Sequence, residues 1–346
     1  MFSVYVVDKL PVEVVAYRPS TRAGDEAGAV ADAGERGARG SEMKPFYETR
    51  LGKAYLGDAL AVMRGLADES VNLIVTSPPF PLTFQKKKPY GSVRMDEYVS
   101  WFLPLADEFK RLLTKDGSFV IDIGGVWNKG EPTRNLYQYH LLIALCEKVG
   151  FHFAQDFYWY NPGALPAPAD WVNVRRIRVK CAVNLVWWLS KTPWPKADNR
   201  NVLKEYSDDM LRLLERGYRV KARPSGHNIT SKFNKNHGGA IPPNLIELGN
   251  NDSNGEYLKK CLQAGLPVHP ARFPRGVPHF FIKLCTDPGD LVMDPFGGSN
   301  VTGDAAERLD RRWIAIELVK EYLEGSRFRF DEPPLLALMQ RGKKKR

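Results

Sequence analysis

The chain has 346 residues, of which 43% are hydrophobic and 26% charged, and its formal net charge is +10 at pH 7; this composition is typical of a folded globular protein and excludes disorder along the whole chain. Its longest apolar runs, such as AVNLVWWL at 182–189, are shorter than the roughly 20 residues of a membrane-spanning helix, and the N-terminus lacks the basic and apolar regions of a secretion signal, so we expect a cytoplasmic protein with no membrane partner. Four widely spaced cysteines, at positions 146, 181, 261 and 285, predict neither a disulfide framework nor a structural zinc site.

The first segment of the chain, residues 1–44, is an N-terminal extension. Its two short β-branched runs are followed at 20–43 by a stretch rich in Ala, Gly and charge, which predicts a partly disordered linker. Strands and helices then alternate. The pattern predicts a helix behind Asp58, a buried strand at 71–76, a helix at 96–113, a strand at 118–123, a helix at 136–149 and a strand at 152–160.

Regular alternation stops at Pro162, Pro166 and Pro168 and resumes near the C-terminus. There the pattern predicts a helix at 279–286, a strand at 290–294, a helix at 301–309 and a strand at 312–318. Alternation at both ends predicts an α/β fold, one doubly wound sheet with an inserted or appended middle region. We therefore divide the chain, after the extension, into parts at 45–162, 163–268 and 269–330, with a tail at 331–346.

The positive charge is concentrated in the middle region. Residues 163–268 hold 17 Lys+Arg against 9 Asp+Glu, and the last six residues, RGKKKR, add a further +5. Such a region suits a nucleic-acid surface, where cations neutralise phosphates and aromatic rings stack on bases. The candidate cations are Arg175, Arg176, Arg178 and Lys180, and the interleaved tryptophans, equally compatible with stacking and with a protein core, are Trp171, Trp187, Trp188 and Trp194.

A glycine-rich turn follows the predicted strand at 290–294. Asp294-Pro295-Phe296-Gly297-Gly298-Ser299 lies where an open α/β sheet binds its ligand, and Glu317 ends the next strand, at the spacing of an acid that holds ribose hydroxyls. The turn lacks the G-x-G-x-x-G of a dinucleotide site. An Asp at the strand end would repel a phosphate and attract a sulfonium, so the pattern favours S-adenosylmethionine over NAD.

A second motif, Thr76-Ser77-Pro78-Pro79-Phe80, follows the strand at 71–76. Two prolines force an extended backbone without N–H donors, which leaves the Ser77 hydroxyl and neighbouring carbonyls free to accept hydrogen bonds from an amino group. The ring of Phe80 can stack on a planar base. These features are those needed to methylate an exocyclic amine.

Together, in this order, the two motifs resemble the β group of DNA amino-methyltransferases, and the Ser-first form resembles its cytosine-N4 members. The resemblance extends to DGSFVIDIGGVWNKG (116–130), FYWYNP (157–162), RPSGHNITSKF (223–233), GAIPPNLI (239–246) and HPARFP (269–274), and it covers about residues 45–325. It implies a Rossmann-like methyltransferase fold that uses S-adenosylmethionine, flips a cytosine out of double-stranded DNA and carries its target-recognition region at 163–268.

The resemblance also implies roles for individual residues. The catalytic motif falls on Ser77, Pro78, Pro79 and Phe80, and the cofactor site on Asp58, Pro270, Arg272, Phe273, Asp294, Phe296, Gly297, Gly298, Ser299 and Glu317. Asn300 departs from the family pattern, which has a third glycine there, but we expect the following helix to have begun and to accommodate the side chain. The target sequence does not follow from these residues, although the resemblance suggests CAGCTG.

Several other residues can each be interpreted in two ways. Asp122 is either a second acceptor for the target amine or a turn cap, and Tyr158, Trp159 and Tyr160 line the base pocket or belong to the core. Lys87, in a lysine run after the catalytic motif, contacts DNA or is simply exposed. No histidine pair has metal-ligand spacing, so we expect no metal.

Alternative functions remain open at this point. An adenine-N6 methyltransferase has the same two motifs with a different first residue as a rule, and a DNA-binding protein can retain an inactive methyltransferase fold. An NAD dehydrogenase is disfavoured by the missing G-x-G-x-x-G. We expect a monomer and no stable complex with a cognate restriction endonuclease, whose existence does not follow from the sequence.

Overall fold

The computed structural model describes residues 43–81, 93–217, 235–250 and 255–331. The predictions for the extension up to residue 42, for Lys87 and for the tail beyond residue 331 lie outside the described residues.

The described residues form nine strands and eight α-helices. The strands are β1 (Tyr47–Glu48), β2 (Gly52–Leu56), β3 (Val71–Thr76), β4 (Leu113–Ile123), β5 (His152–Tyr160), β6 (Val183–Ser190), β7 (Leu245–Glu247), β8 (Leu291–Asp294) and β9 (Arg312–Glu317). The helices are α1 (Ala59–Arg64), α2 (Tyr98–Leu112), α3 (Tyr137–Glu147), α4 (Asp208–Arg216), α5 (Glu256–Gln263), α6 (Gly276–Cys285), α7 (Val301–Arg308) and α8 (Lys320–Ser326). A π-helical turn at Asp170–Val174 and 3₁₀ turns at Asn199–Val202 and Arg327–Arg329 complete them.

All the described strands belong to one sheet in the order β1-β2-β9-β8-β3-β4-β6-β5-β7. The strands from β2 to β4 run parallel, while β6 runs antiparallel to both of its neighbours, β4 and β5. Because the central strands are parallel, their carboxyl ends meet at a single edge of the sheet. The amino end of the reversed strand β6 reaches that same edge.

Helices cover both faces of this sheet, and the side-chain period of two divides each strand between them. On β3, Ile74 packs with Phe102 of α2 and Leu141 of α3 in one cluster. Its neighbours Leu73 and Val75 belong to a second cluster with Phe281 of α6. The predicted doubly wound α/β fold is therefore confirmed.

Strand β6 was not anticipated. The sequence placed residues 163–268 outside the alternating elements, but AVNLVWWL contributes an inner strand of the sheet. Trp187 is 2% exposed and Trp188 9%, so both belong to the core rather than to a base-stacking surface. Part of the basic region is thus built into the sheet, because an apolar run can bury both of its faces there.

Candidate active site

The ends of five neighbouring strands enclose one large cavity. The carboxyl ends of β2, β3, β4, β8 and β9, with the segments after most of them, line a space of about 760 Å³. Its walls include these residues predicted from the sequence: Asp58, Ser77, Pro78, Pro79, Phe80, Asp122, Pro270, Arg272, Phe273, Phe296, Gly297, Gly298, Ser299 and Glu317. The two motifs, separated by more than half of the chain, are therefore parts of the same site.

Ser77 and Asp122 form a hydrogen-bonded pair in this cavity. The Oγ atom of Ser77 donates to Oδ2 of Asp122 over 3.0 Å. Asp122 is 5% exposed, and burial raises the pKa of its carboxyl to about 6, against the lowering effect of hydrogen bonds with Ser77 and Asn184. Among the described residues, Oδ1 of Asp122 is buried without a hydrogen-bond partner. This carboxylate has an acceptor site left over for a ligand.

Asn184, which the sequence did not single out, and Trp159, one of three candidate base-pocket residues, both line the cavity. Asn184, near the start of the unpredicted strand β6, hydrogen-bonds Asp122. Trp159, read as either pocket or core, is 6% exposed, lines the cavity and donates from Nε1 to the Leu248 carbonyl over 2.9 Å. Neighbouring Tyr158 and Tyr160 are not among the lining residues. The strand period explains the division, since residues one apart face opposite sides.

The ring of Phe80 lies against the backbone at Gly124, just beyond the end of β4. A Cβ atom at Gly124 would stand 2.7 Å from Cε2 of Phe80, closer than two carbon atoms can approach. Trp101 of α2 also lines the cavity and packs against Phe296, with ring centroids 5.9 Å apart. The aromatic rings of Phe80, Trp101 and Phe296 thus give the cavity flat apolar walls.

The glycine turn is held by the next strand. Gly297 N donates to the Ile316 carbonyl over 2.8 Å, and Gly298 N donates to Oε2 of Glu317 over 2.8 Å. Oε1 of Glu317 accepts from Val319 N, also over 2.8 Å, and burial raises the pKa of this carboxyl. Gly298 has φ +51, and a Cβ there would lie 3.1 Å from the His269 ring. The turn therefore forms a close-fitting backbone cradle beside an acid.

Asn300 corrects one expectation. It precedes the first residue of α7 as its N-cap, with φ +55, so the helix has not begun when the chain reaches it. Its side chain accepts from Gly303 N over 3.0 Å and donates to the Tyr47 hydroxyl over 3.0 Å. The backbone here needs the left-handed conformation that a third glycine would also adopt, and Asn is among the residues that tolerate it best.

Asp294 corrects another. The sequence argument placed its carboxylate beside a sulfonium, but Asp294 is 2% exposed and is not among the residues lining the cavity. Its oxygens accept from the hydroxyls of Thr76 and Thr302, each over 2.7 Å, and from Phe296 N over 3.1 Å. The pKa of this carboxyl is raised by burial to about 6. Asp294 therefore ties the ends of β3 and β8 together and shapes the turn.

Residues 269–273 close the cavity opposite the sheet. Arg272 donates from Nη1 to the His269 carbonyl over 2.6 Å, and burial lowers the pKa of the His269 ring to about 4, which keeps it neutral. Arg329, which the sequence did not single out, is 4% exposed, donates from Nη2 to Ser299 Oγ over 2.8 Å and lies 4.4 Å above the ring of Tyr257. A buried arginine thus stabilises the glycine turn through its hydrogen bond to Ser299.

Comparison with known proteins agrees with this geometry. A family model described as DNA methylase matches residues 71–328. The chain belongs to this DNA methylase family. The methylase is 52% identical over 290 residues to the type II methyltransferase M.PvuII of Proteus hauseri, covering 83% of this chain and 86% of M.PvuII. It is 27% identical over 293 residues to M.ScaI of Streptomyces caespitosus, covering 81% and 82%.

Solved structures give the same picture. The methylase matches the PvuII DNA methyltransferase described as cytosine-N4-specific with a TM-score of 0.68 and 45% identity, over 84% of this chain and 90% of that one. The M1.HpyAVI–SAM complex, at 19% identity and a TM-score of 0.50, shares the fold. The resemblance to the amino-methyltransferases inferred from the two motifs is confirmed.

The predicted DNA-contacting cations of the methylase differ in their bonding partners. Arg178 donates from Nε and Nη2 to the Pro132 carbonyl over 3.1 and 2.8 Å, and Lys180 donates to the Ala164 carbonyl over 3.1 Å. Arg175 pairs with Asp170 over 3.4 Å and Arg176 is exposed with φ +56. Of these four cations, Arg178 and Lys180 are thus bonded to backbone carbonyls, whereas Arg175 pairs with a carboxylate and Arg176 is exposed.

Two further expectations concern a metal site and a membrane span. Within residues 43–81, 93–217, 235–250 and 255–331, no group of three or more His, Cys, Asp or Glu side chains is arranged to hold a metal ion. No helix in the same ranges has the length and apolar character required to cross a membrane.

Proposed function

We propose that this methylase transfers a methyl group from S-adenosylmethionine to the exocyclic N4 amine of a cytosine flipped out of double-stranded DNA, as the modification component of a restriction-modification system. The observation that carries the proposal is the pair formed by Ser77 and Asp122, placed in one cavity with the glycine turn and the ring of Phe80. The names of its relatives support the type of reaction, since the matched PvuII structure is described as cytosine-N4-specific.

The cavity fits the proposed methyl donor. Gly297 and Gly298 bring backbone within reach of a ligand, and a Cβ at either position would crowd a neighbour at 3.1 Å. Glu317 at the end of β9 is placed for ribose hydroxyls, and Asp58 at the end of β2, whose side chain caps α1 by accepting from Ala61 N over 3.0 Å, lines the same wall. When bound, S-adenosylmethionine supplies an electrophilic methyl group on a sulfonium.

The motif after β3 prepares the amine. Because the hydroxyl hydrogen of Ser77 is donated to Asp122, the serine oxygen presents only lone pairs to an incoming N–H group. Pro78 and Pro79 have no backbone N–H, so the adjoining chain also offers acceptors alone. Acceptors that hold the amine hydrogens draw the nitrogen lone pair out of conjugation with the ring. Phe80 supplies a flat surface on which the base stacks.

Asp122 is the group placed to take the proton that the amine loses. Its Oδ1 atom is buried and unpaired among the described residues, and its pKa of about 6 leaves the carboxyl ionised at neutral pH. Asn184, bonded to the same carboxylate, stands where it can donate to the acceptor edge of the base.

The DNA surface is proposed to lie in residues 163–268, with Arg175 and Arg176 on phosphates and Arg178 and Lys180 holding the loop between β5 and β6. The parts at 45–162 and 269–330 then form the catalytic and cofactor halves of one domain. Lys87 belongs to the proposed DNA contacts as well. We further propose that the methylase is a cytoplasmic monomer.

The test is methylation of plasmid DNA from a strain without DNA methylases, using labelled S-adenosylmethionine, followed by mass spectrometry of the nucleosides. N4-methylcytosine supports the proposal, and N6-methyladenine transfers it to the adenine-N6 alternative. Absence of any modified base overturns the enzymatic role. Mapping the modified positions tests the target CAGCTG that the resemblance suggested, because protection confined to another sequence contradicts it.

A further inference from the structure

The loop between β5 and β6, residues 161–182, carries aliphatic side chains that face solvent. Leu165 is 80% exposed, Val174 73%, Ile177 48% and Val179 87%. Each exposed aliphatic group leaves apolar surface in contact with water, which is unfavourable. A cluster of them on one loop indicates a surface that is covered by another molecule during function.

This loop is held in place by its own contacts. Cys181 N donates to the Ala167 carbonyl over 3.3 Å, and Asn173 donates from its side chain to the Pro166 carbonyl over 3.1 Å. Trp171 is 7% exposed and packs on Trp127, with centroids 5.0 Å apart. The aliphatic side chains therefore project from a backbone that is held by hydrogen bonds and packing, and they can insert into a partner.

Val179 is the most exposed of these aliphatic side chains, and the two exposed cations beside it are bonded to protein. Its two neighbours, Arg178 and Lys180, turn their cationic groups back to the carbonyls of Pro132 and Ala164. The charged side chains contact protein, and the valine between them faces outward.

The loop is tied to the strand ends beside the active-site cavity. Arg134 connects it to the end of β4, since Nη2 donates to Cys181 Sγ over 2.8 Å and Nη1 to the Gly125 carbonyl over 3.0 Å. The loop then enters β6, where Asn184 lines the cavity. The loop therefore lies at the same edge of the sheet as the cavity.

We propose that the β5–β6 loop is a wedge that enters the base stack of duplex DNA, with Val179 filling the space vacated by the flipped nucleotide. The proposal rests on the DNA-methylating function proposed above. The exposed cations Arg175 and Arg176 on the same loop favour a polyanion as the occupant, and apolar wedges between bases are a known way to stabilise an opened step. The wedge offsets the loss of stacking that flipping entails.

The test compares two variants, Val179→Ser and Ile143→Ser, on two duplexes. Ile143 is the matched control, an aliphatic residue that is 52% exposed on α3. One duplex pairs the target cytosine with guanine, and the other places it opposite an abasic site, where flipping requires less energy. We expect Val179→Ser to lower kcat/KM on the paired duplex by about tenfold and to approach wild-type activity on the abasic duplex. Ile143→Ser and the conservative variant Val179→Leu should leave both rates near wild type.

Equal activity of Val179→Ser and wild type on the paired duplex would overturn the wedge, and so would an equal loss on both duplexes. A change of sedimentation coefficient in Val179→Ser with both rates intact would assign the surface to a second copy of the chain instead. Affinity for S-adenosylmethionine, measured by calorimetry, reports whether the variant is folded. DNA affinities for the two duplexes repeat the comparison without methyl transfer, so a wild-type protein that methylates neither duplex contradicts the proposed function while the wedge is still tested.

Discussion

The Oγ atom of Ser77 donates a 3.0 Å hydrogen bond to Oδ2 of Asp122. The two residues are 45 positions apart in the chain and come together because β3 and β4 are parallel neighbours in the sheet. In this pair the serine oxygen is left as an acceptor for the substrate amine. The buried carboxylate of Asp122 lies one hydrogen bond beyond the serine oxygen. Amine activation and proton removal are thereby assigned to two adjoining groups.

Replacing Ser77 by alanine should lower kcat by about 100-fold, because one acceptor for the amine is lost from a transition state that depends on it. Affinity for S-adenosylmethionine should stay unchanged, since the Ser77 side chain bonds Asp122 and not the glycine turn. Single-turnover methylation and calorimetry measure the two quantities. Ser100→Ala is the control, an exposed serine that bonds only its own helix, through the Glu97 carbonyl over 2.8 Å. Full activity of Ser77→Ala would contradict the role of this hydroxyl.

The pH dependence of kcat should follow the ionisation of Asp122. Burial raises the pKa of this carboxyl to about 6, and only its charged form accepts both the serine hydrogen and the amine proton. Activity should therefore rise with pH through about 6 and level off above it, which a profile from about pH 5 to about pH 8 would record. Asp122→Asn should reduce the plateau and remove the acidic limb. An unchanged limb in that variant would assign the titration to another group.

Gly124→Ala should impair catalysis while leaving the fold intact. The added Cβ would lie 2.7 Å from Cε2 of Phe80, so the ring must move into the open cavity, away from its place as a stacking surface. We expect kcat to fall by about tenfold and the melting temperature to change little. Gly255→Ala is the control, because a Cβ there meets nothing within 4 Å. Equal activity of the two variants would show that the position of Phe80 is unimportant.

Glu317→Gln should weaken binding of S-adenosylmethionine by about tenfold, since a neutral amide is a poorer acceptor for ribose hydroxyls and cannot accept at both positions from Gly298 N and Val319 N. Calorimetric titration measures the affinity directly. The exposed Glu321, changed to Gln, is the matched control on the neighbouring helix α8. Unaltered affinity would place the cofactor elsewhere.

Arg175→Ser and Arg176→Ser should each reduce the slope of log K for DNA against log salt by about 1, as expected for loss of one phosphate contact. Arg178→Ser should instead lower the stability of the β5–β6 loop, because its guanidinium donates twice to the Pro132 carbonyl. Arg50→Ser is the control, an exposed arginine that pairs with Asp310 over 2.9 Å near β1 and β2. Identical salt slopes for all four proteins would remove Arg175 and Arg176 from the DNA surface.

Local patterns were sufficient for most elements. The short apolar run of β3 and residues such as Asp58 at a helix start reflect forces that act over a few positions, and the structure has β3 at Val71–Thr76 and α1 capped by Asp58. Strand β6 was not predicted because a long proline-rich loop separates it from its partner β5. Asn184 was missed with it, since its place in the cavity depends on the pairing of β6 within the sheet.

The order of two short motifs and the spacing of Glu317 by themselves determined the fold class, the family and the edge of the sheet where the chemistry lies, because parallel strands impose where their ends meet. Only the tertiary structure decided which way each side chain points. In the structure Asp294, expected to contact the cofactor, is buried and accepts hydrogen bonds from Thr76 and Thr302. The structure also places Asp122 within hydrogen-bonding distance of Ser77. Hydrogen bonds between distant strands settle such orientations, and no local pattern records them.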